Sequence, residues 1–224
     1  MKTSVESLLE DIYPSSDGKP MAETQVHVKL LARLLGMLEY HFRDHEDIFV
    51  AGNIFLYYEE GDPKKRRAPD IMFVKRIKGR HLRRSFMTWL ERRVPSCVIE
   101  LTSKKTAKED MKIKKPLYRR LGVREYILFD PLWEYLPKQL IGYRLVNGRY
   151  KKIKLEPDGS LISKEMGLRL VPEGDNLAAY DLRTGERLLS LWELHEKHDV
   201  ERQRVADLEA EVARLKAAKN GKRS

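Results

Sequence analysis

Two short apolar runs, each flanked by one acidic residue, place the strongest constraint on how this chain can fold. Asp70 stands immediately before the run 71–74, and Glu100 directly follows the run 97–99. Short runs of this kind indicate buried strands. If the two strands are neighbours, their carboxylates converge at one edge of a sheet. Such a pair suits a hard divalent cation such as Mg²⁺, which prefers oxygen ligands.

The segment after the second run predicts a crossover connection. Thr106 and Glu109 have the spacing of a capping box, which marks the start of a helix, and Gly122 is a stop signal. Residues 124–131 then read as another buried strand ending at a turn. A strand, a helix and a strand at this spacing form a βαβ unit, in which the two strands are parallel.

The remaining elements complete an α/β prediction. Apolar residues at helical spacing predict a helix over roughly residues 22–44, and residues 48–58 read as one strand with a bulge. Asn147-Gly148 lies between two strand-like runs and predicts a tight hairpin. The predicted fold class is therefore α/β, with a central mixed β-sheet flanked by helices.

Charge and cysteine content indicate the kind of partner and the cellular location of the protein. The net charge of +10 favours an anionic partner such as nucleic acid, although a solvated surface of mixed charge explains it equally well. The lone cysteine, Cys97, allows no internal disulfide and fits a reducing cytoplasm. The first thirty residues lack a signal-peptide pattern, and no stretch approaches the ~20 apolar residues that span a membrane. We therefore expect a cytoplasmic protein without a membrane segment.

A heptad pattern closes the chain. Its a and d positions are apolar at Leu191, Leu194, Val205, Leu208, Val212 and Leu215. His198 and Glu201 occupy the remaining two seam positions, and mostly charged residues and alanines surround the seam. The pattern predicts a coiled-coil helix and a homodimer. The alternative is a helix that packs its apolar stripe against its own domain.

The predicted domain organisation has four parts. Residues 1–20 read as an extended N-terminal leader, and residues 21–190 form the main domain. The coiled-coil helix covers residues 191–218, and residues 219–224 are a disordered tail.

Several motifs, taken in order, resemble the Uma2 family of the PD-(D/E)xK restriction-endonuclease-like superfamily. The resemblance runs from about Met21 to Leu189. The matching stretches are 21–27, 57–63, 68–70, 98–103, Asp110 with Lys114 and Tyr118, 122–126 and 129–131. The resemblance implies a restriction-endonuclease-like core that hydrolyses DNA phosphodiester bonds with Mg²⁺, for which Mn²⁺ could substitute. A heptad tail is also common in this family.

The resemblance implies catalytic roles for Asp70, Glu100 and Lys114. The two acids would bind the metal ion, and the lysine would orient the attacking water or offset charge in the transition state. The superfamily places its lysine two residues after the second acid, where this chain has Thr102. The resemblance moves that role to Lys114. Asp110, four residues earlier, leaves a solvated ion pair as the alternative.

Two residues of the first predicted helix are further candidates for the site. Glu23 could add a third carboxylate, or it could be a first-turn acid favoured by the helix dipole. His27 follows one turn later, although a lone histidine beside apolar residues is more often structural. Tyr118 reads as a packing residue. Pro116 is expected to bend its helix close to Lys114.

A run of four basic residues, Lys64, Lys65, Arg66 and Arg67, precedes Asp70 and is a candidate DNA contact. A solvated charged face is the alternative for this run. This chain lacks the lysine that the superfamily has two residues after the second acid, and it has a proline at position 116. Both features favour a rival function, a catalytically inactive nuclease-fold module for DNA binding or assembly. A third possibility is a structural coiled-coil protein whose globular part binds a partner.

Overall fold

The computed structural model describes residues 9–16, 24–79 and 81–221, with backbone alone for 215–221. The helices are α1 (Gln25–His41), α2 (Thr88–Glu91), α3 (Ala107–Glu109), α4 (Lys115–Leu121) and α5 (Leu191–Gly221), and a π-helical turn (Asp110–Lys114) joins α3 to α4. The strands are β1 (Ile48–Gly52), β2 (Leu56–Tyr57), β3 (Arg66–Arg67), β4 (Ile71–Lys75), β5 (Phe86–Met87), β6 (Cys97–Leu101), β7 (Glu125–Phe129), β8 (Leu140–Val146), β9 (Arg149–Lys152), β10 (Leu161–Ser163), β11 (Leu168–Glu173) and β12 (Asn176–Asp181). The chain divides into two compact units, Met1–Leu188 and Leu189–Ser224.

A six-stranded sheet forms the centre of the first unit, in the order β1-β4-β6-β7-β8-β9. Strands β6 and β7 are parallel and are joined through α3, the π-helical turn and α4, whereas the other neighbouring pairs are antiparallel. Smaller sheets form from β10-β11-β12 and from β3-β2-β5. The predicted α/β class with a central mixed sheet and a parallel crossover is confirmed.

Both faces of the central sheet are buried under a hydrophobic core. Successive residues of a strand point to opposite faces, so each strand contributes side chains to both cores. On β4, Ile71 and Phe73 pack in one core with α1 and the β10-β11-β12 sheet. Met72 and Val74 pack in a second core that includes Tyr118 of α4. Polar side chains therefore have room mainly at the edges where strands begin and end.

Two turns show how local sequence shapes the sheets. Asn147 and Gly148 have φ values of 49° and 72°, and they link Val146 to its partner Arg149 in the tight hairpin that was predicted. The single strand predicted over residues 48–58 is wrong. The chain leaves β1 at Gly52, turns through Asn53 at φ 54°, and enters β2 of another sheet.

The helix after β6 also differs from the prediction. The expected capping box does not form, because the Thr106 hydroxyl accepts a hydrogen bond from the Ser103 N–H at 3.0 Å instead of capping α3. Where a bend near Pro116 was predicted, the structure has a π-helical turn just before this residue. Pro116 is the second residue of α4, which follows directly on that turn.

Residues 9–16, the described part of the predicted leader, pack on residues of the first unit, to which they belong. Residues 9–12 are helical, and Tyr13 is buried. The Tyr57 hydroxyl donates to the Pro14 carbonyl at 2.7 Å, and the Gly61 N–H donates to the Tyr13 hydroxyl at 2.8 Å.

The second unit contains the long helix α5. Its apolar side chains Leu191, Val205, Leu208 and Val212 are exposed. The backbone stays helical through Gly221, so the tail predicted from residue 219 begins no earlier than 222, and residues 222–224 lie outside the described residues. In the described part of the chain, no helix combines the length and apolarity needed to cross a membrane.

Candidate active site

Strands β4 and β6 bring Asp70 and Glu100 together at one edge of the central sheet. The antiparallel register pairs Ile71 with Ile99, so the residues just outside these two positions face each other. The Leu101 N–H donates to Asp70 Oδ2 at 2.6 Å, and the Asp70 N–H donates to Glu100 Oε2 at 3.4 Å. Each acid is thus held by the other's strand.

Lys114 reaches the same place from the π-helical turn. Its Nζ lies 2.9 Å from Glu100 Oε2 and 2.9 Å from Asp110 Oδ1. Glu100 and Asp110 are 1% and 0% exposed, and Lys114 is 8% exposed. The solvated ion pair that the sequence allowed for Asp110 and Lys114 is therefore wrong, because both groups are buried beside the sheet.

The charges in this cluster are unbalanced. Burial raises the pKa of Glu100 to about 8; the Lys114 ammonium opposes the rise, whereas the Asp70 and Asp110 carboxylates add to it. Burial likewise raises the pKa of Asp110 against the pull of Lys114. Desolvation favours loss of the Lys114 proton, but the two carboxylates outweigh it and raise the lysine pKa. One ammonium thus serves two buried carboxylates, with a third beside them.

Two buried tyrosines support the cluster from the second core. The Tyr118 hydroxyl donates to Glu100 Oε1 at 3.0 Å, and the Tyr126 hydroxyl donates to the Asp110 carbonyl at 3.0 Å. Burial raises the pKa of both phenols, which keeps them protonated as donors. Sequence reasoning treated Tyr118 as packing and missed its hydroxyl. Its place one turn after Lys114, on the same helical face, was the available signal.

His27 approaches the site from the start of α1. Thr24 caps this helix by accepting a hydrogen bond from the His27 N–H at 3.3 Å. The His27 Nε2 lies 3.2 Å from Asp70 Oδ1, so the structure places this candidate against the first acid. The other candidate on that helix, Glu23, lies outside the described residues.

Most of the basic run before Asp70 is engaged within the protein. Lys65 and Arg67 lie 3.9 and 3.5 Å from glutamate oxygens, and the Arg66 guanidinium lies 4.7 Å from an aromatic ring centroid. Lys64 is exposed. Of these four candidates, Lys64 is therefore the one most open to a phosphate.

The donor set at this edge fits a hard cation. Asp70 and Glu100 offer carboxylate oxygens, and Mg²⁺ is commonly held by one or two carboxylates together with waters and substrate phosphates. Residues 9–16, 24–79 and 81–221 contain no group of three His, Cys, Asp or Glu side chains placed to hold an ion.

A cleft of about 370 Å³ lies beside the cluster. His27 lines it, together with Thr102 at the end of β6 and residues of the loop that follows β7. The candidate active site thus consists of a buried charge cluster and an adjoining cleft.

Comparison with known proteins gives a family match and a likeness to solved structures. The model of the Uma2 family, described as "Putative restriction endonuclease", matches residues 13–175. A similar solved structure is "a putative nuclease belonging to DUF820 from Anabaena variabilis ATCC 29413". It is 17% identical, with a TM-score of 0.48, and the match covers 68% of this chain and 81% of that one. No curated protein matches the sequence.

Proposed function

This chain belongs to the Uma2 family, and from that membership we propose that it is a metal-dependent DNA endonuclease. The observation that carries the proposal is the buried cluster of Asp70, Glu100 and Lys114 at one sheet edge. Perturbed titratable groups gathered beside a cleft are typical of catalytic sites.

Asp70 and Glu100 are the residues that would hold Mg²⁺, with Mn²⁺ as a substitute. When bound, the ion would polarise the phosphodiester and lower the pKa of a water molecule. Tyr118 orients the Glu100 carboxylate through Oε1, and His27 and the Leu101 N–H orient Asp70. The protein thus fixes both acids before substrate arrives, which is the condition for effective electrostatic catalysis.

Lys114 supplies the positive charge that the reaction needs. Its raised pKa keeps the ammonium protonated at neutral pH, and it lies 2.9 Å from Glu100 Oε2. From this position it stabilises negative charge that develops on the phosphoryl oxygens, or it orients the attacking water. Asp110 holds the ammonium in place at 2.9 Å.

Nicking of supercoiled plasmid tests this function. The wild-type chain should cut with Mg²⁺ or Mn²⁺ and stop when a chelator is added, because the carboxylates alone cannot activate water. Asp70→Ala and Lys114→Met should abolish cutting. Lys151→Ala, an exposed change on β9, is the control that should cut normally. Cutting by Asp70→Ala, or cutting in the presence of chelator, would contradict the proposal.

A catalytically inactive nuclease-fold module for DNA binding or assembly is the second candidate. It is favoured by the ion pairs of Lys114, which already engage Glu100 and Asp110. The two candidates differ in one result. The inactive module would bind DNA but would leave plasmid intact with every divalent metal.

We also propose that the chain forms a homodimer through the coiled-coil helix 191–218. An exposed apolar stripe on a long helix is stabilised by pairing with a second helix. Light scattering should give the mass of two chains per particle for the full chain and of one chain for a protein ending at Ser190; two chains per particle after truncation would show that the helix does not hold the dimer. A cytoplasmic location is a further proposal, since the chain has the single cysteine Cys97.

A further inference from the structure

The cleft beside the charge cluster has a mixed lining that the nuclease proposal leaves unused. His27, which contacts Asp70, forms part of one wall. The loop after β7 contributes Pro131, Leu132 and Tyr135. A group bound in this cleft would therefore sit next to the carboxylates and against apolar and aromatic surface.

The same loop has two large apolar side chains that are exposed to solvent. Leu132 is 48% exposed and Trp133 is 64% exposed. Trp133 has φ 53°, a left-handed backbone conformation that is unusual for a bulky residue. Such strain persists where the surrounding structure enforces it, and it is concentrated at functional sites.

Asp130 enforces this loop conformation. Its buried carboxylate accepts hydrogen bonds at Oδ2 from the Tyr135 N–H at 2.6 Å and the Leu136 N–H at 2.9 Å. The Trp133 N–H donates to the Asp130 carbonyl at 3.1 Å. Asp130 therefore holds the backbone of this turn, and the Trp133 side chain on it is exposed.

Positive charge accompanies this apolar surface. Lys104 and Lys105 line the cleft and are exposed, and Ser103 and Thr106 add hydroxyl groups beside them. Flat apolar surface next to ammonium groups complements a nucleotide, whose base stacks on aromatic rings and whose phosphate attracts lysine. A base inside an intact double helix cannot reach a cleft, because it is paired and stacked on both sides.

We propose that this cleft takes an unpaired nucleobase adjacent to the scissile phosphate, and that Trp133, which follows the lining residue Leu132, stacks on the same base. The substrate class is then single-stranded or locally unpaired DNA in preference to perfectly matched duplex. This assignment rests on the proposed endonuclease function for the identity of the scissile bond. It adds the form of DNA that the site accepts.

The test measures binding of the full chain without added divalent metal, so that cutting cannot interfere. Three labelled DNAs are compared by fluorescence anisotropy: a matched duplex, the same duplex with one unpaired 2-aminopurine, and its single strand. The two DNAs with unpaired bases should bind about tenfold more tightly than the matched duplex. Stacking on protein should also quench the 2-aminopurine fluorescence.

Trp133→Ala should weaken binding of unpaired DNA about tenfold and remove the quenching. Trp192→Ala is the matched control, because Trp192 is 77% exposed on α5 and should change neither result. Trp133→Phe keeps a ring and should retain most of the quenching, which separates stacking from a fold defect. Lys104→Ala should weaken binding of all three DNAs by a similar factor, as a phosphate contact does.

Equal affinity for matched and unpaired DNA would overturn the proposal, as would unchanged binding and quenching in folded Trp133→Ala. A Trp133-dependent preference for unpaired DNA in a protein that cuts nothing with Mg²⁺ or Mn²⁺ would support the base site. The same result would refute the endonuclease function. The two failures are therefore distinguishable.

Discussion

Two buried glutamates on neighbouring parallel strands show opposite ways to hold a charge. Glu125 of β7 is 0% exposed and faces Arg144, whose guanidinium nitrogen lies 2.7 Å away. Three further groups donate hydrogen bonds to the Glu125 carboxylate: the Ser163 hydroxyl at 2.5 Å and the backbone N–H groups of residues 164 and 165 at 3.0 and 3.3 Å. The charge of Glu125 is thus balanced within the fold.

Glu100 of β6 is equally buried but has a different environment. It shares the Lys114 ammonium with Asp110, and Asp70 lies beside it, so negative charge is in excess. The difference teaches that burial of a carboxylate does not by itself indicate function. What distinguishes the candidate active site is a group of acids that share one ammonium, so that burial raises the pKa of Glu100 and a bound cation would favour its ionised form.

Activity should separate the two glutamates most strongly. Glu100→Gln should lower plasmid nicking by about a hundred- to a thousandfold, because a ligand and an electrostatic partner of Lys114 is lost. Glu125→Gln should cut at the wild-type rate per folded molecule, since Glu125 acts on packing. Initial rates normalised to folded protein measure this. Equal losses in the two variants would break the comparison.

Stability should separate them in the opposite direction. Glu125→Ala leaves Arg144 and three other donors without their acceptor and should cost about 2–4 kcal/mol of unfolding free energy. Glu100→Ala should cost less, because it relieves repulsion with Asp70 and leaves Lys114 paired with Asp110. Urea denaturation monitored by circular dichroism gives both values. A larger cost for Glu100→Ala would show that the cluster serves stability first.

The pH dependence of stability should follow Glu100. Its pKa is raised from 4.5 to about 8 in the folded protein, so between these values the folded state keeps a proton that the unfolded state releases. Stability should therefore fall as pH rises from 5 to 8, by on the order of 1 kcal/mol per pH unit. Denaturation curves at pH 5.5 and 8 measure the slope.

Two variants assign that slope. Glu100→Gln should remove most of it, and the remainder should come from Asp110, whose raised pKa acts in the same direction. Glu125→Gln leaves Glu100 in place and should keep the slope. A slope that survives Glu100→Gln intact would assign the effect to other groups.

The smallest effect should appear in DNA affinity. Lys64→Ala removes an exposed ammonium from the segment before Asp70 and should lower DNA affinity severalfold, with about one unit less salt dependence. Lys151→Ala is the matched change beside the other glutamate, because Lys151 is exposed and pairs with Arg144. It should leave binding unchanged. Filter binding over a salt series compares the two.

The sequence predicted the parts of the site that strand periodicity determines. Asp70 precedes one apolar run and Glu100 follows the other, in adjacent antiparallel strands, so the two acids lie at the same edge of the sheet. The burial of Asp110 could not be predicted, because an acid four residues before a lysine has the same spacing on a solvated and on a buried helix face. The prediction of a capping box was wrong, because the Thr106 hydroxyl accepts a hydrogen bond from the Ser103 N–H and does not cap the helix.

The loop around Trp133 was also beyond sequence reasoning. Its left-handed backbone depends on the hydrogen bonds that the buried Asp130 carboxylate accepts, and those form only once the loop has folded over β7. Side-chain roles that depend on tertiary contacts, such as the Tyr118 hydroxyl on Glu100, have the same origin.

The π-helical turn between Asp110 and Lys114 also affects how the sequences of relatives should be aligned with this one. A π turn closes each hydrogen bond one residue later than an α turn, so it is equivalent to a single-residue insertion in an ordinary helix. A relative without that insertion would keep the same strands and present a different side chain to Glu100. The lysine at this position can thus be gained or lost by a change in length. Alignments of relatives should therefore allow a gap within residues 110–114.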